Sequence, residues 1–250
     1  MSDEIAALRG SVAHLRDVVA GLDGEQLRRS AYPTEWTIAD VLSHLGSGAV
    51  ILHRRLDDGL AGRETDADFN PGVWAEWNAK QPEAQAADAL VADAALLAAI
   101  DAVGETERRG FRFELGPRQL DFGGFVGLRL NEHALHTWDI EVALEPTAVL
   151  PGDATAVIID NLEMMAGFGG KPGGTERSVR VRTSDPERGF TISLGPDRVE
   201  LRPSEPLDTP DLALPSEALV RLVYGRMDPD RTPIADTTTL DELRRVFPGF

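Results

Sequence analysis

Apolar residues recur at intervals of three and four along most of the chain up to Pro146, the spacing of one face of an α-helix. This pattern predicts four long helices joined by loops. Their expected bounds are residues 3–22, 38–60 with Thr37 as the N-cap, 82–103 and 122–144. Four amphipathic helices with loop connections are typical of an antiparallel four-helix bundle.

The pattern changes after Pro146, where one more helix is predicted over residues 154–165. Beyond it apolar and polar residues alternate, as Val179 and Val181 do with Arg180 and Arg182, and this period of two indicates strands. Strands are expected at residues 178–183, 190–194 and 199–201, and two short helices at 215–224 and 240–247. The sequence therefore predicts an α+β protein with a helical bundle over residues 1–147. A small domain with a mainly antiparallel sheet is expected over residues 148–250.

Composition narrows the classes of function. The formal net charge of −17 disfavours nucleic acid or an anionic membrane as a partner, because phosphate binding needs a basic surface. The absence of cysteine excludes disulfides, thiolate metal ligands and a catalytic cysteine, so any thiol must arrive on a cosubstrate. The acidic N-terminal segment lacks the apolar core of a signal peptide, and no apolar run approaches the length of a membrane span. We expect a cytoplasmic protein, monomeric or homodimeric.

The fourth predicted helix carries the polar segment NEHALHTWDI, residues 131–140. Glu132 and His136 are four residues apart and project from one helix face, where a carboxylate and an imidazole can share a cation. Such a pair alone is more often structural, and His133 competes for the same role. His44, in the apolar stripe of the second helix, needs a hydrogen-bond partner or a metal. Together His44, Glu132 and His136 would form a 2-His-1-carboxylate site with positions open for water or substrate.

Two segments resemble the signatures of the mycothiol-dependent maleylpyruvate isomerase family, an actinobacterial branch of the DinB-like metalloenzymes. EWTIADVLSHL, residues 35–45, is similar to the family's Trp-(Ser/Thr)-x-x-Asp-(Val/Leu)-x-x-His-Leu. LRLNEHALHTWDIEVAL, residues 128–144, is similar to its Arg-x-x-Glu-x-x-x-His-x-x-Asp. WNAKQPE, near Asn78, resembles a third, looser block. LVRLVYGRMDP and the ending FPGF look like the family's second domain, related in fold to sterol carrier proteins, so the resemblance covers nearly the whole chain.

The resemblance implies that His44, Glu132 and His136 are the metal ligands, with zinc as the expected ion, and it favours Glu132 and His136 over His133. The implied function is that of a metalloenzyme in which a bound divalent metal activates the thiol of mycothiol for addition to an electrophilic small molecule. A maleylpyruvate-type cis/trans isomerase would release the thiol again, whereas an S-transferase would retain it. Two alternatives are a metal-dependent hydrolase that uses the same site and a non-catalytic protein that binds a small ligand.

Further residues acquire roles from the same resemblance. Asp40 and Asp139 lie one turn from the two ligand histidines, where a carboxylate can orient an imidazole; alternatively, Asp40 only caps its helix. Arg226 resembles a family arginine expected to face the cleft and hold an anionic substrate or cosubstrate, with a surface salt bridge as the alternative. Arg129 and Trp138 are expected to contact substrate or thiol, although Trp138, like Trp36, is also predicted to be a packing residue.

Overall fold

The computed structural model describes residues 3–33, 35–116, 118–174, 176–229 and 238–249. The chain divides into two compact units, Met1–Ala148 and Val149–Phe250. The first unit is helical and the second contains a mixed sheet, which confirms the α+β class. Phe250, the last residue of the FPGF ending, lies outside the described residues. Within the described ranges, no helix is both long enough and apolar enough to cross a membrane.

The first unit is a helical bundle with a small hairpin. Its helices are α1 (Asp3–Val19), α2 (Gly24–Leu27), α3 (Ile38–Leu60), α4 (Phe69–Asn78), α5 (Pro82–Ala102), α6 (Glu105–Gly110) and α7 (Phe122–Leu144). The strands β1 (Phe113–Leu115) and β2 (Arg118–Leu120) pair antiparallel. Of the four long helices, α1 packs against α5 and α7, and α3 packs against the same two. Apolar burial between them supplies the main stabilisation, about 1.5–3 kcal/mol for each large side chain.

Helices α3 and α7 run antiparallel, and this arrangement positions the polar residues of the bundle. His44 contacts Glu132, and the next residue of α3, Leu45, contacts Arg129, which lies earlier in α7. The N-terminal part of α3 therefore lies beside the middle of α7. The two segments that carry His44 and Glu132 are far apart in the sequence and are thus brought into contact.

The second unit contains four short helices, a 3₁₀ turn and one sheet among its described residues. The elements are α8 (Gly152–Ile158), the 3₁₀ turn (Ile159–Asn161), α9 (Leu162–Gly169), β3 (Arg177–Ser184), β4 (Arg188–Leu194), β5 (Val199–Ser204), β6 (Leu212–Pro215), α10 (Ser216–Val223) and α11 (Thr238–Val246). The strand order is β5-β4-β3-β6, with β6 parallel to β3 and the other pairs antiparallel. The sheet is therefore mainly antiparallel, as predicted.

Several local predictions were wrong. The connection between the second and third predicted helices, expected to be a loop, contains α4, in which Pro71 occupies the first turn, where a helix tolerates proline. The helix predicted over residues 154–165 is interrupted by the 3₁₀ turn at Ile159–Asn161. Helix α6 and strand β6 were not predicted. Both are short, and β6 depends on pairing with residues of β3 that lie 31 positions earlier in the chain, so their local patterns are weak.

Candidate metal centre

Two imidazoles and one carboxylate meet between α3 and α7. One potential ligand atom from each of His44, Glu132 and His136 lies within 4.8 Å of the other two. His44 Nε2 is 3.0 Å from Glu132 Oε2, and His136 Nε2 is 3.6 Å from the same oxygen. Nitrogen and oxygen ligands around a tetrahedral ion lie about 3.4 Å apart, given bonds of about 2.0–2.1 Å. The donor set and its spacing therefore fit a divalent cation, with coordination positions left open.

The Glu132 side chain is 43% exposed, and its Oε2 faces the two imidazoles. Burial raises the pKa of the Glu132 carboxyl, but the hydrogen bonds from His136 and His44 and the charges of these rings lower it by more. The resulting pKa lies well below the usual range for glutamate. The carboxylate is therefore ionised at neutral pH, which is the state that a metal ligand requires.

Asp139 holds the second ring nitrogen of His136. Asp139 is completely buried, and its Oδ2 accepts a hydrogen bond from His136 Nδ1 at 2.8 Å. With Nδ1 held by Asp139, Nε2 is the ring nitrogen that faces Glu132 and the site, and it can bind a cation once it is deprotonated. Asp139 thus contacts the imidazole with which the resemblance paired it.

Asp40 lies one turn before His44, but its carboxylate is held by Thr37. Asp40 Oδ2 accepts hydrogen bonds from the Thr37 amide at 2.9 Å and from the Thr37 hydroxyl at 2.7 Å. The Asp40 amide donates in return to Thr37 Oγ1 at 3.1 Å. This capping box explains why α3 begins directly after Thr37. The structure thus places Asp40 in the capping role that the sequence left open as the alternative.

The aromatic residue beside the imidazoles is Trp36. Its ring centroid lies 5.3 Å from that of His44 and 6.1 Å from that of His136, and the Trp36 ring is nearly parallel to the His136 ring, at 21°. Trp138, predicted to line the site, is completely buried, and its Nε1 donates to Ala148 O at 2.8 Å. The reason is helical geometry, because Trp138 follows His136 by two residues and projects about 200° around the axis. Trp36, expected to be a packing residue, takes its place.

Arg129, predicted to contact substrate or thiol, is instead part of the bundle core. It is 2% exposed, forms an ion pair with Asp93, and donates through Nη2 to Leu45 O at 2.9 Å. A guanidinium so enclosed does not reach a ligand in solution. His133, the alternative metal ligand considered from the sequence, also lies in this buried cluster. Its Nε2 is 3.2 Å from Asp93 Oδ2, and its Nδ1 is 2.8 Å from Ser11 Oγ. Burial lowers the pKa of His133, so the ring is neutral at pH 7.

The sequence analysis missed Asp93 and Ser11. The available signal was that Asp93 lies in an alanine- and leucine-rich stretch of α5, where a charged side chain that faces the core requires a partner. Nothing local identifies that partner as Arg129. Arg226 lies in the second unit, half-buried, and its Nη1 donates to Tyr224 O at 3.1 Å. Its expected contact with an anionic ligand stays a prediction.

The sequence and the fold are similar to those of known proteins. The family model described as the mycothiol maleylpyruvate isomerase N-terminal domain matches residues 8–141, more than half of the chain. The fold is similar to a crystal structure of the mycothiol-dependent maleylpyruvate isomerase, with a TM-score of 0.66 and 15% identity over 91% of this chain and 90% of that one. A histidine-to-alanine mutant of that isomerase gives the same TM-score and coverage at 14% identity. No curated protein matches the sequence. The matched residues include both segments that meet at the candidate metal centre, and the chain belongs to the mycothiol maleylpyruvate isomerase family.

Proposed function

We propose that this protein is a mycothiol-dependent metalloenzyme, either a cis/trans isomerase of the maleylpyruvate type or a thiol S-transferase. The proposal is carried by one observation, the convergence of His44, Glu132 and His136 on a common point with Asp139 behind His136. Membership of the family supports mycothiol as the cosubstrate. Zinc is the expected cation, because two imidazoles and a carboxylate with open positions are a common catalytic zinc set. A cytoplasmic location and a monomeric or homodimeric state remain predictions from the sequence.

The three ligand residues would hold the cation, and the remaining positions would be free for a thiol. A divalent cation, when bound, lowers the pKa of a coordinated thiol and makes the thiolate available at neutral pH. Because the chain contains no cysteine, the sulfur must come from mycothiol. The thiolate would add to a conjugated double bond of the electrophile. Rotation about the resulting single bond and loss of the sulfur complete an isomerisation, whereas a transferase retains the carbon–sulfur bond.

The protein's own residues prepare this site. Asp139 keeps the proton of His136 on Nδ1 and leaves Nε2 available for coordination. Glu132 is ionised and adds a negative charge that balances the cation. Trp36 lies beside both imidazoles, and its ring adds an apolar surface to the site.

The proposed function is tested by titrating the cobalt-substituted protein with mycothiol. Coordination of the thiolate should produce a sulfur-to-cobalt charge-transfer band in the near ultraviolet, and S-methyl mycothiol should produce none. The zinc-loaded protein should turn over a maleylpyruvate-type electrophile only when mycothiol is present. Metal binding without the band, together with mycothiol-independent hydrolysis, would contradict thiol activation and favour the hydrolase. Absence of stoichiometric metal would favour the non-catalytic binding protein.

The contact between Trp36 and the two imidazoles predicts that this indole reports on metal binding. Binding of paramagnetic Co²⁺ at His44 and His136 should quench Trp36 emission strongly, because the Trp36 ring centroid lies only 5.3 Å from that of His44 and 6.1 Å from that of His136. Trp36→Phe should therefore remove most of the cobalt-dependent quenching. The control is Trp74→Phe, since Trp74 is 48% exposed on α4 and has no described ring contact with these imidazoles. Equal quenching in wild type and Trp36→Phe would show that the ion binds elsewhere.

A further inference from the structure

A buried polar network connects all four long helices of the first unit beside the candidate metal centre. Its side chains are Ser11 of α1, Asp93 of α5, and Arg129 and His133 of α7, each at most 2% exposed. The main-chain carbonyl of Leu45 adds α3 to the network. Because these groups are closed to solvent, they do not bind a ligand directly. Any influence on the reaction must act through the position of the helices.

Arg129 connects α3 and α7, the two helices that supply the candidate metal ligands. Leu45, whose carbonyl accepts from Arg129 Nη2 at 2.9 Å, directly follows His44 on α3. Arg129 itself precedes Glu132 by three residues on α7, so it stands one turn from that ligand. Gly48 leaves room for the guanidinium, because a Cβ at this position would lie 3.2 Å from Arg129 Nη1. One side chain thus connects the peptide after the α3 ligand to the turn before the α7 ligands.

Asp93 fixes Arg129 in this position. One Asp93 oxygen pairs with Arg129 Nη2, and the other accepts from His133 Nε2 at 3.2 Å. The neutral His133 ring then accepts a hydrogen bond at Nδ1 from the Ser11 hydroxyl at 2.8 Å. Among the residues that the structure describes, Arg129 Nε has no hydrogen-bond partner, so burial of this arginine carries a desolvation cost. A buried ion pair of this kind adds little net stability compared with a neutral pair of similar volume, but it defines the relative positions of the helices.

We propose that Arg129 and Asp93 are positioning residues that set the register of α3 against α7, and thereby the separation of His44 from Glu132 and His136. The proposal rests on the proposed metal-binding function. Metal–ligand distances tolerate deviations of only about 0.2 Å, whereas helices that lose a fixed contact can slide by more. The network therefore determines the affinity and geometry of the metal site without touching the metal.

The test is the double variant Arg129→Met with Asp93→Asn. It removes both charges together, preserves approximate volume, and leaves an amide oxygen to accept from His133. Zinc affinity should fall about 10- to 100-fold, the range known for residues that orient metal ligands, and the d–d absorption of the cobalt-substituted protein should change. Arg129→Lys, which retains a cationic donor for Asp93, should recover part of the affinity.

The matched control is Asp58→Asn. Like Asp93, Asp58 is a buried carboxylate, but it lies on α3 near the end of the helix that is far from His44. It pairs there with Arg54 at 2.6 Å and Arg63 at 2.9 Å. This variant should lose stability without any change in zinc affinity or cobalt spectrum. If Asp58→Asn weakened zinc binding as much as the double variant, the effect would be general destabilisation and the positioning role would be overturned.

The remaining outcomes separate this proposal from the proposed function. Stoichiometric zinc in the wild type, with unchanged affinity and spectrum in the double variant, would overturn the positioning role and leave the metal site standing. A wild type that binds no zinc would overturn both. Should the double variant fail to fold, Arg129→Lys alone decides. It should fold and show several-fold weaker zinc binding with an altered cobalt spectrum, and a spectrum identical to the wild type would overturn the proposal.

Discussion

Replacing His44 with alanine should abolish stoichiometric zinc binding and, with it, mycothiol-dependent turnover. Of the three proposed ligands, His44 is the one that α3 contributes, so its loss leaves Glu132 and His136 as two donors on a single helix. Affinity should fall by more than the roughly 100-fold limit typical of residues that only orient a ligand, because a coordinate bond itself is lost. Metal analysis after dialysis and competition titration with a chromogenic chelator measure both quantities.

Two further variants make this result specific. His53→Ala changes another histidine of α3, whose Nε2 lies 4.0 Å from Asp57, and should bind zinc as the wild type does. Asp139→Asn should give an intermediate loss of about 10- to 100-fold, because it weakens the orientation of His136 and leaves all three ligands in place. Wild-type zinc affinity in His44→Ala would contradict the assignment of the site.

The largest expected effect on folding is that of Asp93→Ala. This change leaves the Arg129 guanidinium buried without its counter-charge and removes the acceptor of His133 Nε2. Breaking a buried ion pair by deleting one partner costs about 3–5 kcal/mol, so the free energy of unfolding in urea should fall by that amount. The control is Asp101→Ala, also on α5, whose pair with Arg9 is about 40% exposed on both sides and should contribute less than about 1 kcal/mol. Equal losses in the two variants would contradict the role assigned to the buried pair.

Asp93 also predicts a dependence of stability on pH. Burial raises the pKa of this carboxyl, but the charge of Arg129 and the hydrogen bonds from His133 and Arg129 lower it by more, so the net pKa is below its ordinary value. A lowered folded-state pKa means that the unfolded chain binds the proton more tightly. The stabilisation is therefore complete above the unfolded pKa of about 3.9 and is lost as the pH falls towards the folded value. Urea unfolding between pH 6 and pH 3 should show a steeper loss in the wild type than in Asp93→Asn; parallel curves would contradict this assignment.

Much of the helical architecture could be predicted because it depends on neighbours in the chain. The spacing of apolar residues at intervals of three and four located the long helices, and Thr37, predicted as an N-cap, located the start of α3. The spacing of four residues also placed Glu132 and His136 on one face of α7. These features depend on helical geometry, which is the same wherever the helix lies in the fold.

Other features depend on which helices are neighbours and at what register, and only the tertiary structure contains that information. The sequence offered Trp138 as an aromatic residue that could line the site, yet Trp36 from the segment before α3 contacts both imidazoles. Arg129 looked available to a ligand until its pairing with Asp93, 36 residues earlier, was visible. Periodicity assigns a side chain to a face of its helix. The packing of α5 and α7 decides whether that face meets solvent, a metal site or a buried counter-charge.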